Sequence, residues 1–298
     1  MKEKMKGMII TSTGAVMWGL NAVAGKYIMG TKSVDAMWMV SLRLICAGLI
    51  LLGIAWRQTK GKGFFRIWKD KYSVMRLLIV AIFAFAVCQA TYFAAIHLSN
   101  AGITTAIQQT SPVFVLLSVL VVEKRLPKKV EVGVLLMVII GAFILATGGD
   151  VTTLLIPAEA LLLGLISAVT CAMYTVLPAK LIERYGTFCT AGWGMLLGGL
   201  FLAPITKLWK ISGIWDWSTV LVFAFVVLFG TVVAFGTYLY GVTLVGPLMG
   251  SVIGLLEPVV ATLASVLILH QVFTKSDIIG IAAILGGVTL LSVFKEKG

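Results

Sequence analysis

The sequence predicts an all-α integral membrane protein with ten transmembrane helices, built as two inverted repeats of five. Three observations carry that expectation. Of 298 residues, 60% are hydrophobic and 12% charged, well outside the range of soluble domains. Apolar runs of eighteen or more residues, each long enough as a helix to cross about 30 Å of hydrocarbon, recur along the whole chain. Two blocks of the chain also lie over two later blocks in the same order.

Taken in order, the expected spans fall at 8–30, 34–56, 77–98, 101–122, 130–148, 158–182, 188–209, 218–243, 247–269 and 277–294. The first follows the basic stretch MKEKMKG, and AVA at 22–24 mimics a signal-cleavage site. Its apolar run continues past that point and holds Asn21 and Lys26, so it reads as a retained span. The second carries Arg43 near its middle. After it comes RQTKGKGFFRIWKDKYSVMR, a loop able to touch anionic membrane lipid but read first as a topology signal. The third and fourth hold Tyr92, Gln108, Gln109 and Pro112. The seventh runs toward Trp209, Trp215 and Trp217, grouped as an interfacial aromatic belt would be. The ninth contains Glu257 and Pro258 side by side at its centre. A mid-bilayer carboxylate costs roughly 2.5–3.5 kcal/mol on insertion scales, so Glu257 needs a reason. Connections are short, and no soluble domain fits between the spans.

The net charge of +12 is unevenly placed. With the N-terminus in the cytoplasm, 18 of the 24 Lys and Arg fall on that side. That bias is the positive-inside pattern. It predicts a multi-pass protein of the cytoplasmic membrane, inner or plasma, with both termini cytoplasmic, and it argues against a nucleic-acid partner. Cys46, Cys88, Cys171 and Cys189 all sit within apolar runs without C-x-x-C spacing. They read as small hydrophobes, neither a disulfide framework nor a metal site, and no cofactor is expected.

The internal repeat sets the domain organisation. Residues 13–28 lie over 167–182, pairing Lys26 with Lys180, and residues 91–122 lie over 237–268 at an offset of 146 with seven identities. The chain therefore divides into a first five-helix unit, 1–150, and a second, 151–298. An odd number of crossings per unit makes the second copy enter the membrane from the opposite side. Inverted repeats are the architecture of many secondary transporters, whose halves rock about a site near the midplane.

At this point the residues carry a resemblance. WGLNAVAGKY, SLRLICAGLILL, YFAAIHLSNAGITTAIQQTSPVFVLLSVLVVEKRL and TYLYGVTLVGPLMGSVIGLLEPVVATLASVLIL resemble the drug/metabolite transporter superfamily, specifically its EamA-type ten-helix members. The resemblance covers nearly the whole chain. It implies that spans 1, 3, 4, 6, 8 and 9 line a central cavity, and it implies movement of small metabolites, often outward, with no single substrate. One departure stands out. The family often closes spans 4 and 9 with Gly-Glu; here Glu123 keeps the acid, and His270 stands in the matching place in span 9.

The polar groups inside the spans are the candidate site. Pro112 and Pro258 occupy equivalent positions, and a helix-interior proline loses its N–H and clashes with the carbonyl four residues back, here Gln108 and Gly254. They are expected as helix breaks at a cavity wall, although packing kinks would use the same residues. Glu257 is the leading candidate to bind a coupling proton or a substrate amine, since burial and neighbouring charges can tune a carboxyl for exchange. Arg43 is expected as its structural ion-pair partner. Lys26 can draw a carboxylate to the outer mouth or snorkel to the interface. Asn21 and Gln108 can orient a polar ligand or bond neighbouring helices, and at most one of Gln108 and Gln109 is expected to face the cavity. Trp18, Tyr92 and Tyr238 can stack on a ligand or simply pack.

No H-E-x-x-H or G-x-S-x-G is present, and Asp150 has no second intramembrane Asp beside it, so an enzyme is not expected. The sequence favours an alternating-access secondary transporter of small organic solutes, amino-acid-like molecules or amines, moved outward, with protons as a candidate coupling ion. A passive facilitator or channel, and a membrane scaffold, stay open as alternatives, as does the choice between monomer and homodimer.

Overall fold

In a low-dielectric medium every backbone polar group needs a partner within its own segment. The apolar runs accordingly form helices. The computed structural model describes residues 2–61, 64–150, 155–245 and 247–295, and its regular structure there is all helical. In chain order the α-helices are α1 (Lys2–Thr31), α2 (Ala36–Thr59), α3 (Lys71–Ile79), α4 (Cys88–Leu98), α5 (Ala101–Gln108), α6 (Ser111–Glu123), α7 (Lys129–Thr147) and α8 (Ala158–Val176). They continue with α9 (Ala179–Tyr185), α10 (Thr187–Ile205), α11 (Trp217–Val227), α12 (Ala234–Val245), α13 (Pro247–Gly254), α14 (Leu256–Leu269) and α15 (Lys275–Lys295). Two π-helical stretches, Val80–Val87 and Leu228–Val233, join α3 to α4 and α11 to α12.

Among the described residues six helices are long and apolar enough to cross a membrane: Met5–Thr31, Ala36–Thr59, Lys71–Leu98, Lys129–Thr147, Thr187–Ile205 and Trp217–Val245. Counting Ala158–Tyr174 with Ala179–Tyr185 as one span bent by 41° makes seven. The expected spans at 101–122 and 247–269 are each cut in two, and α15 covers the expected tenth.

Proline explains where the two cuts fall. Pro112 lies in the first turn of α6, where a missing N–H leaves no bond unmade. The preceding helix ends at Gln108, the residue whose carbonyl the proline ring would otherwise meet. In the later block α13 ends at Gly254, and α14 opens at Leu256 with Pro258 in its first turn. The linking residues adopt nearly the same backbone, Gln109 at φ −67, ψ 0 and Leu255 at φ −67, ψ −5.

Packing pairs distant parts of the chain. α2 lies against α10 and α7 against α15; α1 contacts α12, α13 and α14, while α8 contacts α4, α5 and α6. One buried cluster, including Ile28, Met39, Leu44, Leu51 and Phe93, fills the space around α1, α2 and α4. A second, with Ile107, Val138, Leu145 and Ile284, joins α5 and α7 to α15. Close approach of α2 and α10 depends on glycine: a Cβ on Gly48 would lie 2.6 Å from the Leu196 nitrogen, and one on Gly199 would lie 2.8 Å from the Ile45 nitrogen. The Ser41 hydroxyl donates to the Gly199 carbonyl at 3.0 Å across the same contact.

Left-handed residues recur at matching places, with Lys60 and Lys207 at φ 49 and 50, and Lys124 and His270 at φ 49 and 52. Two ion pairs recur as well. Lys32 after α1 meets Asp216 before α11, and Arg184 in α9 meets Asp70 before α3, each at 2.6 Å. Each aspartate also caps the helix that follows it, Asp70 accepting from the Tyr72 N–H and Asp216 from the Thr219 N–H. The expected boundary between units falls beside 151–154, outside the described residues, as does the Glu123 side chain.

Candidate functional site

A cavity of about 1000 Å³ lies among α1, α2, α4, α5, α6, α8, α10, α12 and α14. It extends to Arg125, Lys128 and Glu131 beyond α6 and to Ile182 and Thr187 around the end of α9. Arg125 and Glu131 are joined by two bonds of 2.8 Å at that mouth.

Of the residues singled out from sequence, Trp18, Asn21, Arg43, Tyr92, Gln108, Pro112, Tyr238 and Glu257 all line the cavity. Glu257 stands in the first turn of α14, put there by the restart at Leu256, and its Oε2 accepts from Gln109 Nε2 at 3.3 Å. Gln109 sits at the break after α5 while Gln108 ends that helix, and both face the cavity. This corrects the expectation that only one would. That expectation assumed a continuous helix, in which adjacent residues point to different faces; the break removes the constraint. Gln108 itself is committed across the helix interface, donating to Ser167 Oγ of α8 at 2.6 Å.

Arg43 also needs correction. Among the described residues it makes no ion pair with Glu257. Its Nη2 donates to Gln89 Oε1 of α4 at 2.6 Å, and its guanidinium lies 4.8 Å from the centre of the Phe93 ring. Nε and Nη1 of Arg43 and Oδ1 of Asn21 are buried without hydrogen-bond partners among the described residues, in side chains 3% and 5% exposed. A neutral amide and an aromatic face hold the arginine in place, so the cavity wall between the helices presents a guanidinium and a carboxyl group not joined to each other.

Lys26 is not a cavity residue. Its ammonium donates to the carbonyls of Ile96, His97 and Ser99 at 2.8, 2.7 and 2.7 Å. The final carbonyls of a helix have no intrahelical donor, and α4 ends at Leu98, so a cation from α1 satisfies them. Snorkelling to the interface is thereby replaced by a specific contact. Pro258 lies behind the cavity wall, buried in the helix that carries Glu257.

The aromatic wall is continuous. Trp18 stands 4.7 Å from Tyr238 and 5.8 Å from Phe235, and Phe235 meets Tyr174 edge-on at 5.7 Å. The Tyr238 hydroxyl donates to the Gly250 carbonyl at 2.9 Å, and the Tyr92 hydroxyl shares a 2.8 Å bond with Thr105 Oγ1. Sequence reasoning did not assign Thr190, Thr231, Cys88 or Cys171 to the site, yet all four line it. Nothing in the spacing of single small residues on four separate helices marks them as neighbours.

The EamA-like transporter family matches the chain twice, over residues 5–147 and over 158–293. A protein of Salmonella typhimurium, named as the uncharacterized inner membrane transporter YicL, is 33% identical over 297 residues, spanning all of this chain and 98% of that one. A solved crystal structure that is 20% identical and covers 98% of each chain superposes with a TM-score of 0.65, a likeness of fold.

Proposed function

We propose, for a chain that belongs to the EamA-like transporter family and so to the membrane transporters, that it carries small zwitterionic, amino-acid-like solutes by alternating access. The observation that carries this reading is the pairing of Arg43 and Glu257 in one cavity without a bond between them. A ligand carboxylate would meet Nε and Nη1 of Arg43, and a ligand ammonium would meet Glu257 beside Gln109. A zwitterion engages both groups, its ammonium favouring the ionised form of Glu257, whereas a bare anion or a bare cation engages only one of them. The rings of Trp18, Phe235 and Tyr238 give an apolar side chain its wall.

In this reading the two units, 1–150 and 151–298, are inverted five-helix halves and the chain crosses the membrane ten times, with both termini cytoplasmic. What supports it is the double family match, the exchange of partners between α1 and α8, and the recurrence of helix breaks, left-handed residues and ion pairs at corresponding places. The broken helices would then be the cavity-lining elements that such carriers use at the midplane. The cavity mouth lies among the basic stretches that the positive-inside bias puts in the cytoplasm, so loading from the cytoplasm and release outside fits this geometry. Proton coupling would run through Glu257.

Thermal shift on purified protein, with zwitterionic amino acids, simple amines and simple carboxylates, tests the reading, because a ligand that prefers the folded form raises the melting temperature. Zwitterions should stabilise the wild type most, with the response lost in Arg43→Gln and in Glu257→Gln. Saturable exchange in liposomes should follow the same ranking. Flux without saturation would indicate a channel, and absence of flux a scaffold.

A further inference from the structure

Lys26 and Lys180 hold the same place in the two aligned blocks, yet the structure uses them differently. Lys26 is docked on three carbonyls at the end of α4. That docking lies at the opposite end of α5 and α6 from the cavity mouth, since the chain runs from Ser99 through both helices before reaching Arg125. Lys180, in α9 beside the mouth, is exposed and among the described residues has no hydrogen-bond or ion-pair partner.

The offset of 146 carries the three acceptors Ile96, His97 and Ser99 onto Val242, Thr243 and Val245. These residues close α12. They are the same type of acceptor, terminal carbonyls at the negative end of a helix dipole. We infer that Lys180 is a positioning residue of the transport cycle: when the mouth closes, its ammonium docks on the carbonyls of Val242, Thr243 and Val245, as Lys26 now does on α4, and Lys26 is released. The inference rests on the alternating-access reading above.

The two recurring ion pairs sharpen the contrast. Lys32–Asp216 and Arg184–Asp70 are both formed in the same structure, so they do not distinguish one state from the other. Of these three contacts among the described residues, the lysine contact is made at one end and unmade at the other, and the unmade one lies at the open side. This is the asymmetry expected of a latch that alternates between two equivalent seats.

The test compares Lys180→Met and Lys180→Arg in the full-length protein by counterflow in liposomes and by hydrogen–deuterium exchange. An exposed lysine with no partner would tolerate methionine without effect. The latch instead predicts that Lys180→Met lowers turnover roughly tenfold, the order of effect expected for losing charge-assisted hydrogen bonds. Lys180→Arg, which keeps the donors, should restore most of it. Exchange in peptides covering 124–131 and 182–190 should rise in Lys180→Met, reporting a mouth that stays open, and should fall in Lys26→Met, with Lys26→Arg as the milder partner. Wild-type turnover and exchange in Lys180→Met would overturn the latch. Absence of saturable exchange by the wild type would instead overturn the carrier reading beneath it.

Discussion

Gly48→Ala adds one methyl group where α2 crosses α10, and the structure says what that methyl would meet. Its Cβ would lie 2.6 Å from the Leu196 nitrogen, 2.9 Å from the Leu196 Cα and 3.0 Å from the Gly192 carbonyl oxygen. Ordinary contact starts at 3.4 Å, and all three obstacles are backbone, so the helices must separate by about 0.8 Å at this point. The same crossing holds Gly192 and Gly199 and the Ser41 to Gly199 hydrogen bond, all of which would stretch together. Overpacking of this type costs about 1–3 kcal/mol. Alanine returns roughly 0.5–1 kcal/mol through its better helix propensity. At the middle of both ranges the net loss is about 1.3 kcal/mol, equivalent to a fall in melting temperature of roughly 3–5 °C for a chain of this size. Gly53, on the same helix, is the matched control, because no described atom lies within 4 Å of where its added methyl would stand. Gly53→Ala should leave the melting temperature unchanged or raise it slightly. The assay is thermal unfolding of both variants in detergent, followed by loss of the monodisperse peak on size exclusion. If Gly48→Ala melts with the wild type, or Gly53→Ala falls as far, the described closeness of α2 and α10 is wrong.

Gly230→Ala should disturb the site from behind, since its Cβ would lie 2.5 Å from Asn21 Oδ1 and 2.6 Å from Asn21 Cγ. Asn21 is buried and must leave its place, so both stability and solute affinity should drop; adding Asn21→Ala should recover only part of the melting temperature, because the Asn21 Cβ itself lies 2.7 Å from the added methyl, and should not recover affinity. Stability should also depend on pH through the two recurring ion pairs. The Ser73 hydroxyl, with the Arg184 guanidinium beyond it, holds Asp70 below the usual carboxylate range, and the Lys32 ammonium does the same to Asp216. Groups depressed on folding contribute above their unfolded value, about 3.9, and the contribution is lost as pH falls below about 5. The Asp70→Asn, Asp216→Asn double variant should therefore melt lower at neutral pH and show a shallower decline between pH 5 and 3 than the wild type.

Much of the fold was legible in the sequence because apolar length and proline are local signals. Pro112 and Pro258 announced the breaks, and the carbonyls they would clash with, Gln108 and Gly254, are where α5 and α13 end. The lateral pairing of helices was less legible. Gln109 and Glu257 are 148 positions apart, and their contact exists only because two breaks bring α5 and α14 together. Arg43 was assigned an anion by charge alone, but Gln89 and Phe93 were closer. Lys26 illustrates the same limit. Its charge suggested a ligand or an interface, whereas the demand came from unpaired carbonyls of another helix, a need that residue types do not reveal.

Counterflow in liposomes with three versions of one solute addresses the central claim most directly: an aromatic or aliphatic amino acid, its methyl ester and its deaminated acid. Arg43 and Glu257 each facing one charge of the ligand predicts rapid exchange of the amino acid and at least roughly tenfold slower exchange of both analogues, each of which engages one of the two groups and forgoes the charge-assisted bonds to the other. Equal exchange of the ester or the acid would contradict it.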